Sequence, residues 1–130
     1  KLFKEDAPNA YALPENKFEE LYASFSLHQV SIHAAFTEKI ATKNIPMKEL
    51  ADPITYLNKN IAAALYLGSL DLLAPELEWV KHLLKHREIQ EAYLGYYLEY
   101  YSETVAEIIG DAAEPLVSWL VQQAVQYKME

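Results

Sequence analysis

Apolar residues recur along most of the chain at intervals of three and four, the spacing that places them on one face of an α-helix. Prolines and glycines interrupt this pattern. The resulting segments predict five helices, over residues 14–43, 52–67, 71–87, 91–109 and 111–127. Residues 1–13 show no helical period, and we expect an extended leader there. No segment alternates like a strand, so the expected fold is all-α, an antiparallel bundle of about five helices in a single domain over residues 14–130.

The predicted helix boundaries rest on capping signals. Asp52 stands directly before a proline, and an aspartate cap followed by proline is typical of a helix start. Asp71 and Asp111 are further cap candidates at the third and fifth helices. Gly68 and Gly110 follow the second and fourth helices, where glycine can adopt the left-handed conformation that ends a helix.

The segment from Glu91 to Ile109 is the most distinctive part of the chain. Its tyrosines recur at offsets of three, four, seven and eight, which puts five phenol rings on one side of a helix. These are Tyr93, Tyr96, Tyr97, Tyr100 and Tyr101. Burial preferences alone favour core filling for such rings, but the aromatic surface is wider than one core conceals. The alternatives are a groove for a flat aromatic or tetrapyrrole ligand and the centre of a protein interface.

Composition and charge narrow the possible partners. The chain is 52% hydrophobic and 23% charged, which excludes a disordered tail, and its longest apolar run, Ile61 to Leu67, is too short to span a membrane. The net charge of −8 argues against nucleic acid as a partner. The expected location is the cytoplasm. The chain lacks both an apolar signal core and an initiator methionine, which leaves open a trimmed fragment whose targeting segment or neighbouring domain is missing.

Candidate catalytic and metal-binding patterns are weak. His82 and His86 lie one turn apart, but no glutamate stands between them and Lys85 disfavours a dication, so no metal site is predicted. Glu99, Glu103 and Glu107 form an acidic row at four-residue spacing, which we interpret as a solvated face with like-charge repulsion. The chain has no cysteine, no Glu-x-x-His element of a di-iron bundle and no Gly-x-Ser-x-Gly motif. We therefore expect no enzymatic activity and no cofactor.

Three further residues are candidates for a binding site beside the tyrosines. The indoles of Trp79 and Trp119 could meet the tyrosine face and form an aromatic box for a conjugated ligand, although core filling is the favoured alternative. In the cofactor-binding alternative, a tetrapyrrole or similar ring lies between Trp79, His82 and the tyrosines. Gly95 lies within the tyrosine helix without a capping role. It favours close approach of either a neighbouring helix or a ligand, and the helix is the favoured alternative.

The order of residues from Asp52 to Leu120 resembles helical-bundle modules that flank sensory domains in bacterial regulators. Among these modules is the bundle that caps cobalamin in light-responsive and methyl-transfer proteins. The residues that carry the resemblance are Asp52-Pro53, Tyr56-Leu57, Ala64, Gly68, Trp79, Leu83-Leu84, Arg87 and a further helix ending at Gly110. The chain has no αβ cobalamin-binding segment and no ligating histidine loop, so no cofactor residue is carried over. The resemblance implies a regulatory or sensor role.

Together these patterns predict a non-enzymatic regulatory, sensor or protein-interaction domain. We expect it to use the tyrosine face either to form a homodimer or to bind another protein. The alternative is a helical bundle that binds a tetrapyrrole-like cofactor or a small hydrophobic or aromatic ligand.

Overall fold

The computed structural model describes residues 18–45 and 47–129, and every regular element within those ranges is helical. Six α-helices follow one another there. They are α1 Glu19–Leu27, α2 Gln29–Ala41, α3 Met47–Leu67, α4 Ala74–His86, α5 Ala92–Ile109 and α6 Glu114–Lys128; short 3-10 helices, Leu70–Leu73 and Asp111–Ala113, precede α4 and α6. The all-helical class is confirmed, with six helices where about five were predicted. The predicted leader lies outside the described residues.

The first predicted helix is in fact two helices that meet at His28. The backbone angles of His28, φ −100° and ψ 10°, depart from helical values. Its N–H donates to the Ser24 carbonyl oxygen at 3.0 Å, and its ring nitrogen Nδ1 lies 2.9 Å from the same oxygen. The buried face nevertheless continues across the joint, with Leu21, Phe25, Ile32, Phe36 and Ile40 in the core. The periodicity therefore predicted the buried face correctly and the continuity of the helix wrongly.

Helix α3 corresponds to the second predicted helix. It begins at Met47 rather than at Asp52, so the predicted start is wrong. Pro53 lies in its second turn, where it lacks the N–H that would donate to the carbonyl four residues earlier. The apolar repeat that follows is buried as predicted, with Leu57, Ile61, Ala64 and Leu65 in the core.

The end of α3 is a Schellman motif centred on Gly68. The Gly68 N–H donates to the Leu65 carbonyl oxygen at 3.2 Å, and the Ser69 N–H donates to the Ala64 carbonyl oxygen at 3.0 Å. Gly68 takes the left-handed conformation that this motif requires, with φ 84°. The predicted end of the second helix is therefore confirmed together with its physical reason.

The end of α4 repeats this motif with a glutamate in place of the glycine. The Glu88 N–H donates to the Lys85 carbonyl oxygen at 3.0 Å, and the Ile89 N–H donates to the Leu84 carbonyl oxygen at 2.8 Å. Glu88 has a positive φ of 61°. A residue with a Cβ atom disfavours this conformation because the Cβ crowds the following carbonyl oxygen.

Replacing Glu88 with glycine is therefore expected to raise the free energy of unfolding by about 1 kcal/mol. The gain is smaller than the full left-handed strain because glycine also adds entropy to the unfolded chain. Gly68→Ala is the matched reverse change and is expected to lower stability by a similar amount. Urea denaturation of the three proteins measures both effects, and a Glu88→Gly variant no more stable than the parent would contradict the assignment.

The side-chain caps predicted at Asp71 and Asp111 do not form. Each aspartate lies in the 3-10 helix that leads into the following α-helix. Neither α4 nor α6 has a side-chain cap, and each carries a proline in its first turn, Pro75 and Pro115 respectively. Proline has no N–H, so one of the donors that a cap would satisfy is absent.

The core draws apolar side chains from all six helices. The most extensive helix pair is α5 with α6, and α2 also packs on α5 while α1 packs on α3. Tyr127 of α6 is buried, and its hydroxyl donates to Glu78 Oε2 of α4 at 2.8 Å. Among the described helices, none combines the length and apolar character needed to cross a lipid bilayer. The contacts of the tyrosine helix α5 with α2 and α6 place it between these two neighbours.

Candidate functional site

Two of the five predicted site tyrosines, Tyr97 and Tyr101, lie in the core. They are 2% and 1% exposed. Their rings are stacked one helical turn apart, with centroids 6.1 Å apart and planes 11° apart. Phe36 of α2 meets both rings edge-on, at centroid distances of 4.9 Å from Tyr97 and 5.3 Å from Tyr101. These two phenols are thus covered by α2 and form no part of the exposed surface.

The hydroxyl groups of this pair are buried without a hydrogen-bond partner in the structure. Burial raises the pKa of Tyr97 well above its ordinary value, and the adjacent Tyr101 adds to the rise. Burial also raises the pKa of Tyr101. Both phenols therefore stay protonated at neutral pH and remain uncharged hydrogen-bond donors.

Tyr96 and Tyr100 lie nearer the surface and contact lysines. Tyr96 is 42% exposed, and Lys128 Nζ of α6 lies 5.4 Å from its ring centroid. The partly buried Tyr100 has Lys43 Nζ 4.8 Å from its ring centroid. Cations at these distances are attracted to the face of a tyrosine ring. Part of the aromatic side of α5 is therefore exposed, as predicted, but two lysines already occupy it.

Tyr93, at the start of α5, lines an open cleft of about 410 Å³. The cleft lies between the link from α2 to α3 and the turn from α4 to α5. Its other lining residues are Asn44, Ile45, Glu88, Ile89 and Gln90. Tyr97 and Tyr101 are buried and are not among its lining residues, so none of the clefts described here is lined by all five tyrosines.

Gly95 lies on the side of α5 that meets α6. A Cβ atom at this position would lie 2.8 Å from both the Ala124 carbonyl oxygen and the Lys128 backbone nitrogen, and would also contact the Lys128 side chain. Such distances are shorter than carbon makes to backbone atoms without displacement. The geometry favours helix packing as the reason for this glycine.

Replacing Gly95 with alanine is expected to lower the free energy of unfolding by about 1–3 kcal/mol, because the added methyl forces α5 and α6 apart. In an unconstrained helix the same change would instead gain about 1 kcal/mol. Ala106→Gly on the exposed side of α5 calibrates this propensity and is expected to lose about 1 kcal/mol. Thermal and urea unfolding measure both variants, and a stabilised Gly95→Ala protein would show that the helices tolerate the methyl.

Trp79 of α4 pairs with Tyr56 of α3 on the outside of the protein. The two side chains are 50% and 53% exposed, with their rings in a T-shaped arrangement at a centroid distance of 6.1 Å. A hydrogen bond joins the same two helices, with Asn60 Nδ2 donating to Glu76 Oε1 at 3.0 Å. The other tryptophan, Trp119, packs against the core. Both members of this pair are exposed, and it is called the α3–α4 aromatic pair below.

Sequence reasoning did not select Tyr56 as a site residue. It stands next to Leu57 and outside the apolar row of its helix, so its aromatic ring was predicted neither in the core nor in the tyrosine stripe. An aromatic residue outside the apolar face was the available signal. Its pairing with Trp79 depends on how α3 and α4 pack, which the periodicity does not determine.

His82 is exposed on α4, as is His86 one turn later. Among the described residues, no group of three or more His, Asp or Glu side chains is arranged to hold a metal ion. The ring that Trp79 contacts belongs to Tyr56, whereas Tyr97 contacts Phe36 and Tyr101. The structure does not bring Trp79, His82 and the buried tyrosines into one described cleft, and the tetrapyrrole alternative stays a prediction.

The acidic row on α5 forms ion pairs with two lysines from neighbouring helices. Lys39 Nζ of α2 lies 2.9 Å from Glu107 Oε2 and 3.4 Å from Glu103 Oε1, and Lys128 Nζ of α6 lies 3.1 Å from Glu99 Oε1. Burial alone would lower the pKa of Lys39, but its hydrogen bonds and charge interactions with the two carboxylates outweigh this and raise it. The like-charge repulsion expected along the row is thereby relieved.

Comparisons of the chain with protein-family models, with curated proteins and with solved structures found no match. No family is therefore assigned to it.

Proposed function

We propose that the chain is a non-enzymatic regulatory or protein-interaction domain that self-associates through the α3–α4 aromatic pair. The observation that carries this proposal is the exposure of Tyr56 and Trp79, about half of each side chain, in direct ring contact. Tyrosine and tryptophan are enriched among the few residues that supply most of the binding energy at protein interfaces. Two such rings on adjacent helices form a ready centre for an interface.

The charges around the pair favour a second copy of the chain as the occupant. Lys59 is exposed one turn after Tyr56, and Glu76 lies one turn before Trp79. Within the described part of the chain, the Glu76 carboxylate accepts a hydrogen bond from the Asn60 amide and forms no ion pair. A two-fold arrangement can place Lys59 of one copy against Glu76 of the other, so the surface is complementary to itself in charge.

The proposed architecture is an antiparallel bundle. Its support is the short Gly110–Ala113 link between α5 and α6 together with their extensive contact, which is typical of antiparallel neighbours. In such a bundle the helices α3 and α4 present the aromatic pair from a rigid support. A regulatory role would then follow from association that alters the packing of the helices.

Sedimentation velocity over a range of protein concentrations tests the self-association. The parent protein is expected to show a concentration-dependent increase from monomer to dimer mass. The variants Tyr56→Ser and Trp79→Ser are expected to weaken the dimer at least tenfold, as removal of an interface hot spot does. A parent protein that stays monomeric at all concentrations would refute self-association.

Tyr96→Ser is the matched control, because it removes a similarly exposed aromatic ring from α5. It is expected to leave the dimer unchanged. A dimer that is lost in Tyr96→Ser and kept in Trp79→Ser would instead place the interface on the tyrosine helix, as the sequence predicted.

A further inference from the structure

Helix α6 has an exposed side without charge. It carries no charged residue between Glu114 and Lys128, although 23% of the chain is charged. Surface helices usually place charged side chains opposite their buried face. The exposed residues from the middle of α6 to its C-cap are instead apolar or amide side chains: Val121, Gln122, Val125, Gln126 and Met129, called the α6 face below. Depletion of charge is typical of the centre of a protein interface.

A cleft of about 320 Å³ borders the α6 face. Four residues of α6 line it, Pro115, Ser118, Trp119 and Gln122, and the rest of the lining comes from residues 68–71 and Phe18. Tyr56 and Trp79 are not among the lining residues. The α6 face thus combines exposed apolar side chains, of which Met129 is 81% exposed, with an adjoining cleft that can receive one.

Met129 and the cleft lie at equal distances from Gln122. Met129 follows Gln122 by seven residues, and Pro115 of the cleft precedes it by seven. At a rise of about 1.5 Å per residue each lies roughly 10 Å away along the helix, and seven residues are close to two turns, so all three are on the same side. In an antiparallel pair of α6 helices related by a two-fold axis at Gln122, Met129 of each copy therefore comes opposite the cleft of the other.

We propose that the α6 face is a second interface, through which the chain binds another copy of itself in this antiparallel arrangement. Methionine suits the cleft because its flexible side chain fills irregular spaces. The two Gln122 amides meet at the axis, where each offers both a donor and an acceptor to the other.

Charge favours a second copy as the occupant. Each copy has a net charge of −8, so two copies repel each other except where surfaces without carboxylates meet. The antiparallel order also brings the acidic start of α6, at Glu114, to the end that carries Lys128 in the other copy. Lys128 would then lie between Glu99 of its own chain and Glu114 of the other.

This interface goes beyond the α3–α4 association and does not depend on it. Valine is under-represented among hot-spot residues, whereas tyrosine and tryptophan are enriched, so pairing through the α6 face is expected at higher protein concentration than pairing through the α3–α4 aromatic pair. Two different two-fold contacts on one chain then join dimers into larger assemblies.

Gln122→Glu tests the interface, because it sets two carboxylates against each other at the axis. The substitution is made in the Trp79→Ser variant, in which the α3–α4 contact is weakened. Sedimentation velocity at high concentration is expected to show a dimer of Trp79→Ser that the added Gln122→Glu weakens about tenfold or more. Gln90→Glu is the matched control: it adds the same charge at an exposed position outside the α6 face and is expected to leave this dimer unchanged.

A Trp79→Ser protein that stays monomeric at high concentration, or one whose dimer is unaffected by Gln122→Glu, would overturn the proposal. The α3–α4 association is judged separately, by whether the parent protein associates more strongly than Trp79→Ser.

A single introduced cysteine supplies the second measurement, since the chain has none of its own. Gln122→Cys places two thiols at the two-fold axis, where oxidation with diamide is expected to link them into a disulfide dimer. Val30→Cys is the control on α2, at a position that is 83% exposed in the parent, and is expected to cross-link about tenfold more slowly or less. A Gln122→Cys dimer that forms no faster than this control would overturn the proposal, whether another protein or another part of the chain covers the α6 face.

Discussion

Replacing Phe36 with alanine is expected to lower the free energy of unfolding by about 3–5 kcal/mol, the usual loss for a large aromatic side chain removed from a core. Phe36 is fully buried and makes edge-on contacts with both Tyr97 and Tyr101. Each such contact adds about 0.5–1.5 kcal/mol to the effect of burial alone. Alanine would leave a cavity beside the two stacked rings. Urea denaturation followed by circular dichroism measures the loss.

Val30→Ala provides the control on the same helix. Val30 lies in α2 but is 83% exposed, so its truncation is expected to change stability by no more than about 0.5 kcal/mol. If Phe36→Ala were also to lose less than about 1 kcal/mol, α2 would not pack on the tyrosine pair as the structure shows.

Raising the pH above 10 is expected to lower the free energy of unfolding by about 1.4 kcal/mol per pH unit for each of Tyr97 and Tyr101. In the unfolded chain both phenols ionise near pH 10. In the folded protein they keep their protons, because burial raises the pKa of each. Above pH 10 the unfolded state therefore binds fewer protons than the folded state. The stability that the protonated pair contributes is complete below pH 10 and is lost as the pH rises towards the folded-state pKa values.

Urea denaturation at a series of pH values between 8 and about 11.5 measures this loss, which reaches roughly 2.7 kcal/mol per pH unit for the two groups together. The double variant Tyr97→Phe, Tyr101→Phe is expected to remove most of the slope. It retains Lys39, whose raised pKa makes a contribution of the same sign. Absorbance at 295 nm measures tyrosine ionisation independently. If all ten tyrosines ionised near pH 10 while the protein stayed folded, the raised pKa of Tyr97 and Tyr101 would be contradicted.

The sequence predicted the helical segments and most of their buried faces because periodicity records which side of a helix avoids water. Leu77 and Leu84 belong to the apolar repeat of α4, and both are buried. The predicted helix boundaries were wrong where a local sequence signal disagreed with the rest of the helix. Asp52-Pro53 resembles a start but lies inside α3, and His28 ends a helix without proline or glycine. The residue type of Glu88 gives no indication of its left-handed backbone conformation.

The candidate site was predicted less well, for a reason that Tyr97 illustrates. Spacing places Tyr97 and Tyr101 on one side of a helix, but it does not tell which distant segment covers that side. Phe36, far away in the sequence, covers both rings. The contact of Tyr56 with Trp79 likewise joins two helices, so neither helix alone predicts it. Only Gly95 carried a signal for close packing that the geometry supports.

The exposure of Trp79 makes it an intrinsic fluorescence probe of its own surface. The chain has two tryptophans, and Trp119 is the more sheltered of them. Emission from Trp79 should therefore lie at longer wavelength and be quenched by iodide, while emission from Trp119 supplies a steadier background. A molecule bound on the outer side of α3 and α4 would shift the emission of Trp79 to the blue and shield this side chain from the quencher. Occupancy of that surface can therefore be followed without attaching a label.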